Sequence, residues 1–234
     1  MPTNGRKALI LRRLNMYIVT IVPESNLFFP NVGTGGMDDL VLVIGSDNYL
    51  RTYEGDDIVV SFGSDNYANL GNGDDIAVAL GGRAIFFGGE GNDTLIGGEG
   101  NDWIMGSVGA DMLFGGGGND ILTFDVEDPL VLGGKGADVF NFQKTVEGLV
   151  ADESTKGFFY KPIFKTGAVT IADFNPWEDV LDMSVLGVGV KVRSDVVENT
   201  TTFTATDGYE VTIRGASFDV YTAGSLVLDS SGKG

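Results

Sequence analysis

The sequence predicts an all-β protein: a parallel β-roll with 18 residues per coil, closed by a C-terminal antiparallel β cap. A nonapeptide of the form GGxGxDxUx, in which U is a large aliphatic residue, recurs near the middle of the chain. Its clearest copies are GGEGNDTLI (88–96), GGEGNDWIM (97–105) and GGGGNDILT (115–123). In steps of nine residues the repeat runs from Thr34 to Asn141 without insertion or deletion, which gives twelve units. A short fixed period is typical of a solenoid whose successive coils stack on one another.

A second period, twice as long, defines the coil. The segment VIGSDNYLRTYEGDDIVV (43–60) is echoed by SFGSDNYANLGNGDDIAV (61–78). Two nonapeptides therefore make one coil, with a turn and a short strand on each side. The array holds 24 of the chain's 36 glycines, which favours a role in turns over linker flexibility.

Three regions follow from the extent of the repeat. Residues 1–33 form an N-terminal arm and a first strand, residues 34–141 form the β-roll, and residues 142–234 form the cap. We expect the first strand at Met16–Val22, preceded by a mobile basic arm. Alternating apolar residues and turn residues predict six strands in the cap: Phe158–Phe164, Val169–Ala172, Val190–Arg193, Thr201–Thr206, Glu210–Arg214 and Ser225–Leu228. Such a cap would close an end of the roll that otherwise exposes a strand edge.

Composition excludes several classes of function. The 234-residue chain has no cysteine and no histidine, which rules out disulfides, a Ser-His-Asp triad and histidine-ligated zinc. The formal net charge is −18, and residues 34–141 carry nineteen acids against three bases. Such an acidic band repels nucleic acid and anionic membranes, so neither is an expected partner. No run of eighteen apolar residues is present, so we expect no transmembrane helix.

The residue types of the nonapeptide indicate calcium. Glycine at positions one, two and four allows backbone angles that a Cβ disfavours. Aspartate at position six supplies a hard anionic oxygen, and turn carbonyls can complete the six to eight oxygen ligands that Ca²⁺ prefers. Stacked coils lie roughly 4.8 Å apart, a gap that fits an ion held at roughly 2.4 Å from each turn. Ordinary Asp-Gly turns without metal are the alternative, which the repetition of the glycine positions disfavours.

Position six alternates between the two sides of the roll and so forms two columns. The first column contains Asp39, Asp57, Asp75, Asp93 and Asp111, and then breaks at Pro129. The second column contains Asn48, Asn66 and Ala84, followed by Asp102, Asp120 and Asp138. The glycines expected to frame the sites are Gly71, Gly73, Gly89, Gly91, Gly98, Gly100, Gly109, Gly116, Gly118, Gly134 and Gly136.

These columns predict several Ca²⁺ ions, four in good glycine frames and two in incomplete ones. The four good slots lie between Asp75 and Asp93, Asp93 and Asp111, Asp102 and Asp120, and Asp120 and Asp138, although Ser107 replaces one glycine. The slots Asp39/Asp57 and Asp57/Asp75 are incomplete, since Met37, Thr52 and Tyr53 stand where glycine is expected. Carboxylates one coil apart repel by about 3 kcal/mol at an effective dielectric of 20. We therefore expect folding to depend on the metal.

Strand alternation also predicts an apolar ladder on the outside of the roll. Position eight should point inward, so positions seven and nine should point outward. On the first side these read Leu40/Leu42, Ile58/Val60, Ile76/Val78, Thr94/Ile96, Met112/Phe114 and Leu130/Leu132. Solvent does not favour such a face. Either the chain's own terminal segments cover it, or it is a surface for self-association or for another partner.

Beyond the nonapeptides, three segments resemble the RTX family, haemolysin-type calcium-binding proteins exported by type I (ABC-type) systems. GGKGADVFNF (133–142) looks like the family's last repeat, and VTIADFNPWEDVLDMS (169–184) is similar to its I-x-D-F…D-x-I-D-x-S segment, with Trp177 in place of a common glycine. TDGYEVTIRGASFDVYTAGSLVL (206–228) resembles the strand pair before an uncleaved secretion signal, although the final LDSSGKG lacks the acidic and aliphatic end often found. The resemblance implies a right-handed roll, folding on Ca²⁺, an exporter as partner, and an extracellular or cell-surface location.

The function expected from these features is that of a non-enzymatic structural, adhesive or surface-assembly protein. An accessory secretion or targeting module for a separately encoded effector fits the same sequence. A polysaccharide-active enzyme that works with carboxylates alone would have to use Asp173, Asp179 and Asp182. Those positions match the structural segment of the family, and alternating acids on a strand are usually surface residues.

Overall fold

The computed structural model describes residues 7–13, 16–22, 36–144, 146–151, 160–164, 166–175, 177–187, 190–195, 197–215 and 226–227. Two eight-stranded sheets face each other and are joined by the turns of the repeat. The first sheet has the order β1 (Lys7–Arg13), β2 (Met16–Val22), β3 (Asp39–Ile44), β5 (Ile58–Phe62), β7 (Ile76–Ala79), β9 (Thr94–Glu99), β11 (Met112–Gly117) and β13 (Leu130–Lys135). The second sheet has the order β22 (Leu226–Val227), β18 (Val180–Asp182), β14 (Val139–Phe142), β12 (Ile121–Phe124), β10 (Trp103–Val108), β8 (Ala84–Glu90), β6 (Asn66–Asn72) and β4 (Tyr49–Glu54).

Strand pairing confirms the parallel β-roll with 18 residues per coil. In the first sheet Val41 pairs with Val59, and Leu113 pairs with Val131, both in parallel. In the second sheet Trp103 pairs with Ile121 in the same sense. Each strand therefore pairs with the strand two places along the chain, because the intervening strand belongs to the opposite sheet.

The core lies between the two sheets and is filled from two positions of the repeat. Position eight points inward as predicted: Val41, Val59, Leu95, Leu113 and Val131 of the first sheet have no exposed surface. Position one also points inward. It is glycine in the regular copies, whereas Val43, Leu70 and Phe124 fill the interior in the irregular ones. Apolar burial of about 25 cal/mol per Å² makes this core the main metal-independent source of stability.

The N-terminal end differs from the sequence prediction. The predicted strand Met16–Val22 is β2, and it pairs in parallel with β3. The residues expected to form a mobile basic arm instead include β1, which pairs antiparallel with β2 along its whole length from Lys7 to Arg13. Hydrogen bonds to β2 satisfy the backbone groups of this segment and make it a strand of the first sheet. The basic residues of the segment gave no indication of this pairing. Residues 1–6 of the predicted arm lie outside the described residues.

At the C-terminal end an antiparallel sheet is present, as predicted. The parallel pairing of β14 with β18 and an isolated parallel bridge between Val131 and Ile171 join the cap region to the roll. β19 (Lys191–Asp195), β20 (Thr200–Thr204) and β21 (Glu210–Arg214) form an antiparallel unit, to which β17 (Gly167–Thr170) adds in parallel. β15 (Val146–Ala151) and β16 (Tyr160–Phe164) form a separate antiparallel pair. The strand predicted at Ser225–Leu228 is the short β22, which extends the second sheet through β18 rather than joining the cap. Phe158 and most of the predicted secretion signal lie outside the described residues.

The one helical segment in the part of the chain that the structure describes is a 3₁₀ turn at Ser184–Leu186. No helix among those residues is long and apolar enough to cross a membrane.

Candidate functional site

The aspartates of the first column form a continuous ladder. The Oδ1 atom of Asp57 accepts a hydrogen bond from the backbone N–H of Asp39 at 2.7 Å. The same bond joins Asp75 to Asp57 at 2.7 Å, Asp93 to Asp75 at 2.9 Å and Asp111 to Asp93 at 2.7 Å. All five side chains are at most 1% exposed. One carboxylate oxygen of each residue from Asp57 onward is therefore fixed by the preceding coil.

The second column repeats this arrangement from Asp102 onward. Asp102 Oδ1 accepts the N–H of Ala84 at 2.6 Å, Asp120 accepts that of Asp102 at 2.8 Å, and Asp138 accepts that of Asp120 at 2.9 Å. These three carboxylates are likewise buried. The structure thus gathers the aspartates that the sequence predicted into the two predicted columns.

The second carboxylate oxygen of most of these residues lacks a hydrogen-bond donor. The buried Oδ2 atoms without a hydrogen-bond partner belong to Asp57, Asp75, Asp93, Asp102, Asp111 and Asp120. A buried anionic oxygen without a partner is strongly unfavourable, so such an atom requires a cation or a proton. The donor set, anionic oxygens repeated once per coil beside turn carbonyls, fits Ca²⁺.

Glycine at position one makes room for these carboxylates. A Cβ on Gly88 would overlap Asp93 Oδ2 and would come close to the carbonyl oxygen of Gly106. Gly97 has the same relation to Asp102 and to the carbonyl of the next coil. The glycine, the carboxylate and a carbonyl of the following coil therefore meet at one place, where oxygen ligands can surround an ion.

Glycine at positions two and four is required by the backbone. Gly91 has a φ of 128°, and a Cβ there would overlap the carbonyl oxygen of Gly73 in the preceding coil. Of the eleven predicted frame glycines, ten have positive φ. Gly100 does not, and it packs on the backbone of Gly82 and Arg83, a turn that departs from the repeat.

Burial raises the pKa values of the column carboxyls well above their ordinary value of 3.8. Desolvation is the main cause throughout, and backbone hydrogen bonds oppose it. The pKa values are about 8 for Asp93, about 7 for Asp57 and Asp120, and about 6 for Asp75, Asp102 and Asp111. The pKa of Asp138 is raised for the same reason. The ionised columns are therefore unstable in the folded chain unless a counterion is present.

Carboxylates alone do not form a closed metal site. Among the described residues, no group of three or more acidic side chains converges closely enough to hold a metal ion. An ion between two coils would thus be held by the aspartates of those coils together with backbone carbonyls of the turns. This division of ligands is within the range that Ca²⁺ accepts.

The sequence predicted that the first column ends at Asp111, because Pro129 stands at the next position six. The structure contradicts this prediction. Asp128 takes the next place, and its Oδ1 accepts the N–H of Asp111 at 2.9 Å. Its Oδ2 accepts the N–H of Asp125 at 2.9 Å, so both oxygens have donors. The strands on either side still pair 18 residues apart. Asp128 therefore takes the place expected for residue 129 without a shift of the strand register.

The second column ends in the same way, at a residue far along the chain. Asp179 Oδ1 accepts the N–H of Asp138 at 3.0 Å, and its Oδ2 accepts the N–H of Asn175 at 2.7 Å. Both columns therefore close on an aspartate whose two oxygens are satisfied by backbone N–H groups. No nonapeptide precedes Asp179, so the repeat itself does not reveal this role.

The early coils of the second column use amides in place of carboxylates. The Asn48 side-chain amide donates to Asn66 Oδ1 at 2.8 Å. The amide of Asn66 donates to the Gly45 carbonyl and to the Ser61 hydroxyl, both at 2.8 Å. Asn66 Oδ1 and the Gly45 carbonyl thus have N–H donors, whereas Asn48 Oδ1 is buried without a hydrogen-bond partner.

Some glycine positions of the repeat are occupied by residues with side chains. Tyr53 has a φ of 80° and Ser107 a φ of 88°, a conformation that favours glycine. The Thr52 hydroxyl donates to the carbonyl oxygen of Leu70 at 2.7 Å. Thr52 and Leu70 both carry a Cβ at position one, whereas Gly88 leaves that space open beside Asp93 Oδ2.

Position five has a role that the sequence reasoning missed. On the first side the N–H of Asp56 donates to Asp38 Oδ1 at 3.0 Å, the N–H of Asp74 donates to Asp56 at 2.9 Å, and the N–H of Asn92 donates to Asp74 at 2.8 Å. This exposed outer ladder runs beside the buried column. The recurrence of Asp or Asn before position six was its signal in the sequence.

The three C-terminal acids considered as catalytic candidates have structural partners. Both oxygens of Asp173 accept N–H groups, from Gly133 at 3.0 Å and from Gly134 at 2.7 Å. Asp179 closes the second column, and Asp182 accepts the N–H of Ser184 at 2.9 Å. Asp173 and Asp179 thus tie the segment after β17 to the last coil, whereas Asp182 accepts a hydrogen bond from its own loop.

A parallel roll with paired columns of buried aspartates in glycine turns defines the class of calcium-binding β-rolls. Residues 87–122 match the family model of the RTX calcium-binding nonapeptide repeat in four copies. This segment of the chain therefore carries RTX-type calcium-binding repeats, and it lies within the parallel β-roll.

Two further comparisons give the wider setting. The chain is similar to the solution structure of the AlgE6R3 subunit from the Azotobacter vinelandii mannuronan C5-epimerase, with a TM-score of 0.38 and 25% sequence identity. That match covers 62% of this chain and 84% of the other. No curated protein matches the chain in sequence.

Proposed function

We propose that this protein is a secreted calcium-binding β-roll that folds on Ca²⁺ outside the cell and acts as a non-enzymatic structural, adhesive or surface component. The observation that carries the proposal is the set of six buried carboxylate oxygens without hydrogen-bond donors, arranged in two columns. Calcium would supply the missing charge, and its binding energy would become folding energy.

The ions are assigned to the slots between successive aspartates. Four ions are proposed for the slots Asp75/Asp93, Asp93/Asp111, Asp102/Asp120 and Asp120/Asp138. The slot Asp57/Asp75 gains support, because the Oδ2 atoms of both residues lack hydrogen-bond partners. For Asp39/Asp57 only Asp57 shows such an atom, so this slot is the weakest of the six.

The extracellular setting follows from the calcium requirement. A chain whose buried columns cannot remain ionised without metal stays unfolded where Ca²⁺ is scarce, and an unfolded chain suits passage through an ABC-type exporter. Millimolar Ca²⁺ outside the cell would then fold it, since extracellular modules bind in the range of about 10⁻⁴ to 10⁻³ M. RTX repeats support this location.

Two observations support a role without catalysis. The chain has no histidine and no cysteine. Asp173, Asp179 and Asp182, which were the candidates for catalysis, accept hydrogen bonds from backbone N–H groups. An accessory module for a separately encoded effector remains the alternative form of the same non-catalytic proposal.

The calcium proposal is tested by titrating the chelator-treated protein with Ca²⁺. We expect the far-UV circular dichroism to change from coil to β-structure and calorimetry to show several ions bound per chain. Mg²⁺ at the same concentration serves as the control, since it demands a smaller octahedral site. Full β-structure in chelator at pH 8 would overturn the proposal.

An apolar face supports the assembly role. The outward residues of β3, β5 and β7, with the residue that follows β7, form three rows of three: Leu40, Leu42, Ile44, Ile58, Val60, Phe62, Ile76, Val78 and Leu80. Ile44, Ile58, Phe62, Ile76 and Leu80 are 39–61% exposed. The sequence predicted two of the three columns in this face. It did not predict the third, which is formed by position two of the next unit.

Self-association through this face is tested by sedimentation in Ca²⁺. We expect the wild-type protein to associate and Ile76→Lys to be monomeric, because a buried unpaired charge opposes assembly. Ile121→Lys is the matched control, since Ile121 is 43% exposed but lies in the second sheet. A wild-type monomer at all concentrations would remove this part of the proposal.

A further inference from the structure

A recess lies on the outer face of the second sheet, near its edge strand β4. It measures about 490 Å³ and is lined by Arg51, Tyr53, Glu54, Asn69, Gly71 and Asn72. β4 and β6 pair in parallel, so Tyr53 lies beside Gly71 and Glu54 lies beside Asn72. The missing side chain at Gly71 leaves space next to the Tyr53 ring. None of these side chains belongs to the aspartate columns.

Tyr53 occupies a conformation that the repeat reserves for glycine. Its φ is 80°, whereas the same position in the next two coils is Gly71 at 122° and Gly89 at 130°. A bulky residue at positive φ is a true outlier, and such strain concentrates at binding and catalytic sites. Tyr53 is 38% exposed, so burial of its ring in the core does not explain the strain.

An aromatic row continues from the recess along the sheet. Tyr49 and Tyr67 stack at 4.3 Å with an interplanar angle of 9°. Phe87 lies 5.3 Å from Tyr67, and Trp103 lies 5.6 Å from Phe87. The row therefore crosses β4, β6, β8 and β10, a span of roughly 15 Å at the spacing of adjacent strands.

The polar groups beside this row are held in place. Arg51 Nε donates to the Tyr49 hydroxyl at 3.2 Å, and the guanidinium lies 5.9 Å from the Tyr49 ring. Tyr67 shares hydrogen bonds with Asn69 and Tyr49. Arg51 and Asn69 therefore present donors and an acceptor at the recess with little further loss of side-chain freedom on binding.

We propose that the recess and the aromatic row bind a neutral polysaccharide. Aromatic faces pack against the C–H faces of pyranose rings, while guanidinium, carboxylate and amide groups hydrogen-bond neighbouring hydroxyls. Drug-sized apolar ligands instead prefer enclosed, mostly apolar pockets. A long open row of rings beside one polar recess suits an extended chain of sugars.

Charge favours a neutral polymer over an anionic one. Arg51 and Glu54 give the lining one positive and one negative side chain. The exposed outer ladder of Asp38, Asp56 and Asp74 lies on the adjoining turns, and the chain has a net charge of −18. These charges repel a polyanion, with a strength that depends on salt.

The inference names a ligand for the adhesive role, and it rests on the proposed calcium-loaded fold. Affinity electrophoresis of the full chain in Ca²⁺ tests it, with hydroxyethyl cellulose, galactomannan and dextran in the gel as neutral probes and alginate as the anionic probe. Circular dichroism of the same samples reports folding separately. A folded protein that binds no sugar removes only this inference, whereas a chain that stays unfolded in Ca²⁺ removes the proposed function.

Two glycine substitutions make a matched pair for this test. Tyr53→Gly removes the ring from the recess and relieves the strain at positive φ, so the protein should fold at least as well as wild type. Asn199→Gly likewise replaces a residue at positive φ, here 50°, by glycine, on a turn of the cap away from the recess. We expect retardation by at least one neutral polysaccharide that weakens about tenfold or more in Tyr53→Gly and in Arg51→Ala, because central aromatic and arginine contacts dominate binding. Asn199→Gly should bind as wild type does.

Three results would overturn the inference. The first is the absence of retardation by any neutral polysaccharide while the protein is folded. The second is equal binding by wild type and Tyr53→Gly. The third is retardation by alginate alone, which would assign the surface to a polyanion.

Discussion

Protons should partly replace calcium in this protein. The perturbation is removal of calcium with a chelator, followed by acidification from pH 8 to pH 5. The raised pKa values of the column carboxyls mean that the folded chain binds these protons more tightly than the unfolded chain, whose aspartates titrate near 3.8. The resulting stability is complete below about pH 4 and is lost as the pH rises from about 6 to about 8.

The expected effect is large compared with the stability of a domain. Raising the pKa of Asp93 from 3.8 to about 8 disfavours its ionised form in the fold by about 6 kcal/mol. The corresponding shifts to about 7 disfavour ionised Asp57 and Asp120 by about 4 kcal/mol each. Solvent does not screen these groups, since their side chains are 1% exposed. Three carboxylates alone thus match a typical unfolding free energy of about 5–15 kcal/mol.

Far-UV circular dichroism of the chelated protein measures the outcome. We expect coil at pH 8, β-structure at pH 5 and a midpoint between about pH 6 and pH 8, with calcium abolishing the difference. Asp93→Asn removes one buried charge and keeps an oxygen for the N–H of Asp75, so its midpoint should move to higher pH. Glu210→Gln, an exposed change in β21, should leave the midpoint in place. The same spectrum at both pH values would refute the reasoning.

Three substitutions test other parts of the roll. Gly91→Ala should lower the unfolding free energy in Ca²⁺ by about 3 kcal/mol or more, because the methyl group overlaps the preceding coil; Gly208→Ala, also at positive φ but facing open space, should lower it by about 1–2 kcal/mol in the same denaturant titration. Asn66→Asp should destabilise the calcium-loaded protein by about 1–3 kcal/mol without adding a bound ion in calorimetry, since it removes the amide that donates to Gly45 and Ser61; a gain of one ion would contradict this account. Asp179→Ala should lower the melting temperature because it leaves the N–H groups of Asp138 and Asn175 without partners, at about 1–3 kcal/mol each; a melting temperature equal to that of wild type would show that the second column does not end there.

The sequence predicts the repetitive part of this molecule well, for a physical reason. Each coil meets nearly the same neighbours above and below, so residues such as Val59 and Asp93 experience the same environment as their counterparts 18 positions away. Period, strand direction, the inward position and the two aspartate columns therefore follow from the spacing alone.

The ends of the columns did not follow, because they depend on contacts outside the repeat. Asp128 enters the column one residue before position six, and only its hydrogen bond to Asp111 shows it, since the strand register stays at 18 residues. Asp179 arrives from 41 residues beyond Asp138, within a loop that has its own hydrogen bonds to Asn175. β1 was missed since its backbone pairing with β2 outweighs the charged residues that suggested an arm.

Calcium and apolar packing compete for the same interior space, and this divides the roll into two parts. In the nonapeptide units that begin with Gly88 and Gly97, position one has no side chain, and the aspartate oxygen occupies that space. Earlier units keep a buried side chain at position one, Thr52 or Leu70, which adds volume to the core where Gly88 instead leaves room beside a carboxylate. The later coils have less apolar side-chain volume in their core, so their stability depends more on the bound metal. The early coils, with their amide ladder, apolar outer face and aromatic row, depend on it less, which makes them the part of the roll whose surface is free to vary for binding.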